Sequence, residues 1–338
     1  MRLLAAPDKF RGTLSAHDAA HALSRGARRA GWDAIERPLS DGGEGFGAVL
    51  GGERVDVLVE GPLGEPITSC YRLDAVRHTA VIEMADAAGR ALLPHPQGDD
   101  VLRASTYGVG QLIVAAAKAK ARTIIVGCGG SATTDGGMGA LDAVTEADLD
   151  LTEVELVVAT DVTTRYDDAA RLFAPQKGAS PRQVEILTDR LGIQRQRICE
   201  RFGLDVGSLD RSGAAGGLGG ALAALGGKLC SGFEVVAEAT NLRAALEEVA
   251  LVVTGEGALD ETSLEGKTIE SLLELVPPAV PVLIIAGSVD EPTAELLRAR
   301  ADRSIRVVSL SVRCGVDRSM RDTAGALEDV VAASLSEQ

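Results

Sequence analysis

The sequence predicts an α/β protein of two domains: a parallel sheet assembled from both ends of the chain, and a mixed α/β domain inserted between those ends. Three observations carry the prediction. The chain has 338 residues, more than one average domain holds. Near both termini, aliphatic runs of strand length alternate with helical patterns, as at residues 2–6, 251–254, 280–286 and 307–310. Between them, residues 55–60 and 71–83 are extended, alternating segments joined by the turn Gly61-Pro62-Leu63-Gly64-Glu65-Pro66, a pattern of antiparallel pairing. That change of pattern assigns residues 1–55 and 246–338 to the first domain and 56–245 to the inserted one.

The first strand, at 2–6, ends at Pro7, which cannot donate to a ladder. Ser15 reads as the N-cap of a helix through Ala30, with apolar residues at Ala19, Ala20, Leu23, Ala27 and Ala30, and Gly31 closes it. A short strand at 34–38 leads into Ser40-Asp41-Gly42-Gly43-Glu44-Gly45, and a helix resumes near Phe46. In the inserted domain a helix is expected at 108–121, strands at 123–126 and 155–159, and a polar helix at 181–202. The small-residue cluster at 213–222 fits either a tightly packed helix N-terminus or a ligand wrap, and the pattern does not choose between them. The strand at 251–254 is expected to break into the loop Gly255-Glu256-Gly257-Ala258-Leu259-Asp260, and that at 280–286 to end at Gly287, before a helix at 292–301.

Composition narrows the function. The net charge of −15 and the absence of a basic run interleaved with aromatics exclude a nucleic-acid partner. Aromatics make up 3% of the chain, so the core is built from Ala, Leu and Val. Five scattered cysteines without CxxC spacing fit reduced thiols and exclude a cysteine zinc site. Cys128 reads as a small buried filler more readily than as a nucleophile. With no signal-like segment and no run of membrane-spanning length, the expectation is a cytoplasmic protein without a membrane partner.

The densest chemical signal is Gly127-Cys128-Gly129-Gly130-Ser131-Ala132-Thr133-Thr134-Asp135-Gly136-Gly137-Met138-Gly139, directly after the strand at 123–126. Glycine lets a backbone approach a ligand closely, successive amides before a helix make an anion site, and the hydroxyls add donors. A plain connecting turn would not need glycine at this density. Two other readings fail or weaken. Gly266-Lys267-Thr268 looks like the end of a Walker A loop, but the earlier glycine it requires is Glu261. Gly127-x-Gly129-x-x-Ala132 fits a dinucleotide fingerprint, yet Asp135-Gly136-Gly137 falls where that motif's helix should run.

The chain resembles the bacterial glycerate kinase family (type I) over almost its whole length. The resemblance rests on blocks in the family's order: 6–16 beginning Ala6-Pro7-Asp8-Lys9-Phe10, then 40–45, 61–64, Thr106-Tyr107-Gly108-Val109-Gly110, the glycine loop, Phe173-Ala174-Pro175-Gln176-Lys177-Gly178-Ala179, the cluster at 213–222 and Thr254-Gly255-Glu256-Gly257. It implies a Rossmann-like parallel-sheet domain from both chain ends with an inserted mixed α/β domain. It also implies transfer of the ATP γ-phosphoryl group to a hydroxyl of glycerate, with magnesium (Mg2+), a reaction that needs positioning, charge neutralisation and a carboxylate to take the hydroxyl proton. A homodimer is left open.

On that resemblance Asp8, Lys9, Asp41 and Asp135 are the catalytic candidates, the three acids serving as acid/base or metal groups. Arg11, Ser131 and Thr133 grip substrate; Gly129, Gly130, Gly255, Gly257 and Lys267 meet nucleotide or phosphate; Asp161 and Asp260 are weaker metal candidates. The chain departs from the family at several of these places. Lys9 and Arg11 stand where Ser and Lys are usual, Val162-Thr163-Thr164-Arg165 replaces an Asp-Asn-Pro run, and Ala258 replaces an Arg. A lost Arg removes charge-assisted bonds to phosphate, so a kinase of another small hydroxy acid and a non-catalytic ligand-binding relative are the alternatives.

Overall fold

The computed structural model describes residues 1–264 and 268–336. Its strands are β1 (Arg2–Ala5), β2 (Asp33–Glu36), β3 (Glu53–Glu60), β4 (Pro66–Asp74), β5 (Thr79–Glu83), β6 (Thr123–Gly127), β7 (Glu155–Ala159), β8 (Lys228–Cys230), β9 (Leu251–Leu259), β10 (Val282–Val289) and β11 (Ile305–Ser309). The chain divides into two compact units, Met1–Ser40 with Phe233–Gln338, and Asp41–Gly232. These divisions fall earlier than positions 55 and 246, where the sequence pattern changes.

The unit formed by both chain ends holds one parallel sheet in the order β11-β10-β9-β1-β2. Leu3, Leu4, Ala5, Val252, Val253, Ile284 and Ile285 are all fully buried. Successive strand residues point to opposite faces, so both faces of this sheet are covered, which is why its strands read as continuous aliphatic runs. On the face of Leu3, Ala5, Val253 and Ile285, the core is completed by Leu23 and Ala27 of the helix Ala16–Arg29 and by Leu327 and Val331 of the helix Thr323–Ser336. Those helices come close because Gly26 lacks a Cβ that would strike the Glu328 carbonyl. Ser15 caps the first helix, accepting from Asp18 N at 3.1 Å as its residue type predicts.

Three extended segments differ from expectation. β9 does not break at Gly255 but continues to Leu259, paired with β10 through Ile285↔Gly255, Ala286↔Glu256 and Val289↔Leu259. β10 likewise runs past Gly287. Glycine here serves strand packing: a Cβ on Gly255 would collide with the Ile285 carbonyl, and one on Gly287 with that of Gly257. In the other unit, the segment read as 71–83 is two strands. Asp74 Oδ1 accepts from Val76 N and Arg77 N at 3.0 and 2.9 Å, an Asx turn that ends β4 and returns the chain as β5.

The unit Asp41–Gly232 carries a mixed sheet, β3-β4-β5-β6-β7-β8. β3, β4 and β5 are antiparallel; β5 through β8 are parallel. Ile82, Ile113, Ile124, Val126, Val158 and Leu218 form its main core. A second cluster of Leu141, Tyr166, Leu187, Leu191 and Ile198 is built on the helix Pro181–Phe202, whose start is a capping box between Ser180 and Gln183.

Candidate active site

In the Asp41–Gly232 unit, four parallel strands end in register at Glu83, Gly127, Ala159 and Cys230. Open sheets place ligands outside such carboxyl ends. The residues that gather there come from several candidate segments. Gly129 N donates to Gly42 O at 3.1 Å and Cys128 N to Ala159 O at 3.0 Å, tying the glycine loop to the Asp41 turn and to β7. Asp41 Oδ1 accepts from Gly43 N at 3.0 Å. Asp161 Oδ1 accepts from Ser231 Oγ at 2.7 Å and Gly232 N at 2.8 Å. Glu83 takes Gly45 N and Gly47 N at 3.0 and 2.8 Å, so its carboxylate caps the helix Phe46–Leu50, whose N-cap Gly45 has no side chain to do so.

The glycine loop differs from an open nest of amides. Cys128, Gly129, Ala132 and Gly136 already donate their N–H groups to the carbonyls of Ala159, Gly42, Ala88 and Gly216. Gly129 is glycine because a Cβ would strike Gly43. Gly130 has φ +72°, a left-handed conformation that favours glycine. The helix Met138–Glu146 does not offer a bare N-terminus either. Asp135 fills it, accepting from Gly137 N at 3.1 Å, Gly139 N at 3.2 Å, Thr106 N at 2.8 Å and Thr106 Oγ1 at 2.7 Å. Its carboxylate is the anion the helix dipole sees.

What the loop does present is side-chain chemistry. Thr133 is fully buried, and among the described residues its hydroxyl has no hydrogen-bond partner. Its carbonyl accepts from Lys177 Nζ at 2.5 Å. Burial lowers the Lys177 ammonium to about 7, with Arg90 pushing the same way and Asp135 opposing. Arg90 N in turn donates to Gly130 O at 2.9 Å, and Gly89 bridges Ser131. Sequence reading passed over Lys177 and Arg90. The signal for Lys177 was its place in the family block 173–179. Cys128 is buried and its thiol is pushed up to about 12, as befits a filler.

The second glycine cluster supports this loop from behind. Gly216, at φ +71°, lies where a Cβ would strike the Thr133 carbonyl, and Gly217 and Gly220 lie against the Tyr166 ring. Tyr166 OH donates to Gly136 O at 2.7 Å. The cluster is a packing surface for the loop.

The other unit has its own strand-end arrangement. β2 lies on one side of β1 and β9 to β11 on the other, so the topological switch falls between β1 and β9. Asp8 follows β1 at that point and is 7% exposed. Its N donates to Gly255 O at 2.8 Å; its carboxylate accepts from Lys9 N at 2.6 Å and Thr268 Oγ1 at 2.9 Å, with Lys9 Nζ 3.8 Å away. Arg11 is exposed on the adjoining turn, where a Cβ on Gly257 would lie 3.0 Å from its backbone N. Gly255 and Gly257 lie within β9, so the loop that was to carry them is a strand. Asp260 ends that strand, its N donating to Ser263 Oγ at 3.2 Å. Lys267 lies outside the described residues. Asp161 and Asp260 belong to different units, and among the described residues no three His, Cys, Asp or Glu side chains cluster as a metal site.

A model of the glycerate kinase family matches residues 3–150 and 142–336. The chain belongs to the glycerate kinase family. It is 37% identical over 327 residues to a glycerate kinase of Halalkalibacterium halodurans and 36% identical over 330 residues to a glycerate 2-kinase of Escherichia coli, covering 86% of itself and 86% of each relative. A crystal structure described as glycerate kinase 2 from Salmonella typhimurium superposes with a TM-score of 0.82 at 30% identity, covering 100% of this chain and 98% of that one. The family's members named here are kinases, and the α/β fold with one parallel and one mixed sheet agrees with that structure. Among the described residues, no helix is long and apolar enough to cross a membrane.

Proposed function

We propose that the chain transfers the γ-phosphoryl group of ATP to a hydroxyl of glycerate, with magnesium. The observation that carries this reading is the family match running through both units, from residue 3 to residue 336. The strand-end chemistry is compatible with it. Asp8 and Asp41 are the acids assigned to take the hydroxyl proton or hold the metal, with Asp161 and Asp260 in supporting metal roles. Magnesium is satisfied by one or two carboxylates together with phosphate oxygens, so a three-ligand protein cluster is not required. When bound, it neutralises charge on the transferring phosphate.

Lys9, beside Asp8 at the β1–β9 switch, and the exposed Arg11 are assigned to phosphate or substrate; Gly255 and Gly257 support them indirectly, by letting β9 pack closely against β10 and the Arg11 turn. Ser131 and Thr133 are assigned to the hydroxy acid, with Gly129 and Gly130 shaping the loop that holds them. Asp135, whose carboxylate accepts four protein donors, is assigned a positioning role.

The test is ADP release from ATP with glycerate and with a panel of small hydroxy acids, with and without magnesium. Magnesium-dependent turnover highest with glycerate supports the reading. Preferred turnover of another acid replaces the substrate, and binding without turnover of any acid replaces the enzyme with a ligand-binding relative.

A further inference from the structure

Two cationic residues are tied to one hydroxyl-bearing segment of the glycine loop, Lys177 through its ammonium and Arg90 through its backbone N–H. Lys177 is 8% exposed, and its ammonium, which has three donors, finds a single acceptor among the described residues, the Thr133 carbonyl. Arg90 is exposed beside it, held by its own N–H to Gly130 O, and among the described residues its guanidinium joins no ion pair. The acid acting on Lys177 is Asp135, whose oxygens are already engaged by Thr106, Gly137 and Gly139. On the residue whose carbonyl takes Lys177, the buried Thr133 hydroxyl has no hydrogen-bond partner among the described residues. A native buried hydroxyl without a partner asks for one outside the chain.

We propose that Lys177, Arg90 and the Thr133 hydroxyl form an anion subsite that receives the carboxylate of the small hydroxy acid. This rests on the kinase reading above and adds two residues that determine acid specificity. The geometry favours a carboxylate over a phosphate. A phosphate would use loop amides and a helix N-terminus, but four amides are spent on protein carbonyls and the helix is capped by Asp135. What remains is a pair of cations and a hydroxyl, which suits one small planar anion.

Proton linkage gives a signature that a merely structural lysine would lack. With Lys177 lowered to about 7 by burial and by Arg90, against the pull of Asp135, the Lys177 amine itself is largely neutral at pH 8 while no ligand is bound. An arriving carboxylate favours the ammonium, so binding takes up a proton above pH 7 and affinity falls as pH rises further.

The test uses the full chain and the variants Thr133→Val, Lys177→Met and Arg90→Gln. Thr133→Val removes a hydroxyl that bonds to nothing among the described residues, so it leaves the melting temperature unchanged or higher. It is expected to weaken glycerate binding and raise the KM for glycerate roughly tenfold, the worth of one hydrogen bond to a charged group, with the KM for ATP unchanged. Calorimetry at pH 8 in buffers of different ionisation enthalpy should show proton uptake on glycerate binding to the wild type and none with Lys177→Met. A rise in the KM for ATP alone would reassign the subsite to a phosphoryl oxygen and overturn the proposal. So would unchanged glycerate binding in Thr133→Val, or no glycerate binding to the wild type. If glycerate binds and the variants lose it while ADP release is absent, the subsite stands and the kinase reading falls.

Discussion

Asp135 holds Thr106 twice, accepting from its backbone N–H at 2.8 Å and from its hydroxyl at 2.7 Å. The same Thr106 hydroxyl accepts from Ala140 N at 3.1 Å, so one buried pair ties the segment before the helix Tyr107–Lys118 to the first turn of Met138–Glu146. The carboxylate is thereby a structural acceptor as well as a member of the loop.

Removing it exposes that role. Asp135→Ala leaves the amides of Thr106, Gly137 and Gly139 without their acceptor, and stability should fall by about 2–4 kcal/mol. Thr106→Val removes a hydroxyl that donates to Asp135 and accepts from Ala140 N, and should cost about 2–3 kcal/mol. Urea unfolding measures both. If Asp135→Ala melts like the wild type, the positioning role assigned to it is wrong.

Gly216 tests how the second glycine cluster supports the loop. At φ +71° with the Thr133 carbonyl in the path of a Cβ, Gly216→Ala combines backbone strain with displacement of the hydroxyl segment. A stability loss of about 2 kcal/mol or more is expected, together with a raised KM for glycerate. The same change at Gly192, whose Cβ would meet nothing within 4 Å, should be neutral or mildly stabilising. Equal effects at the two positions would contradict the packing argument.

Asp8 and Asp41 are separated by kinetics. Whichever takes the hydroxyl proton should, as the Asn variant, lose about a hundredfold or more in kcat with little change in the KM for either substrate. The other, if it helps hold magnesium, should show a raised magnesium requirement instead. Retention of full kcat by both Asn variants would place the base elsewhere.

The sequence made some of this legible and hid the rest for physical reasons. Ser15 announces a helix because its signal is local, and the aliphatic runs of β1, β9 and β10 announce a parallel sheet. Gly255 misled because glycine marks both a loop and a strand that packs closely, and only the Ile285 carbonyl decides between them. The glycine loop was conspicuous, yet its amides were spent on partners such as Gly42 and Gly216, far away in sequence. Lys177 was the least legible, since burial of a lysine depends on the tertiary fold and leaves no mark on its neighbours.

That burial should be visible in stability against pH. Lys177 has a folded-state value of about 7, lowered from 10.5. Between those values the unfolded chain binds the proton and the folded chain largely does not, so its contribution makes stability rise with pH, by up to about 1.4 kcal/mol per unit. Below pH 7 both states are protonated and the slope vanishes, with the full penalty of a buried ammonium in place. Lys177→Met removes the ionisable group while keeping an apolar chain of similar length. The variant should therefore match or exceed the wild type near pH 7, and the wild type should gain on it toward pH 10. Thermal melts of both proteins across pH 6–10, compared by difference so that other titrating groups cancel, give the answer. A difference that stays flat over that range would mean that Lys177 keeps an ordinary lysine value and is not desolvated beside Thr133.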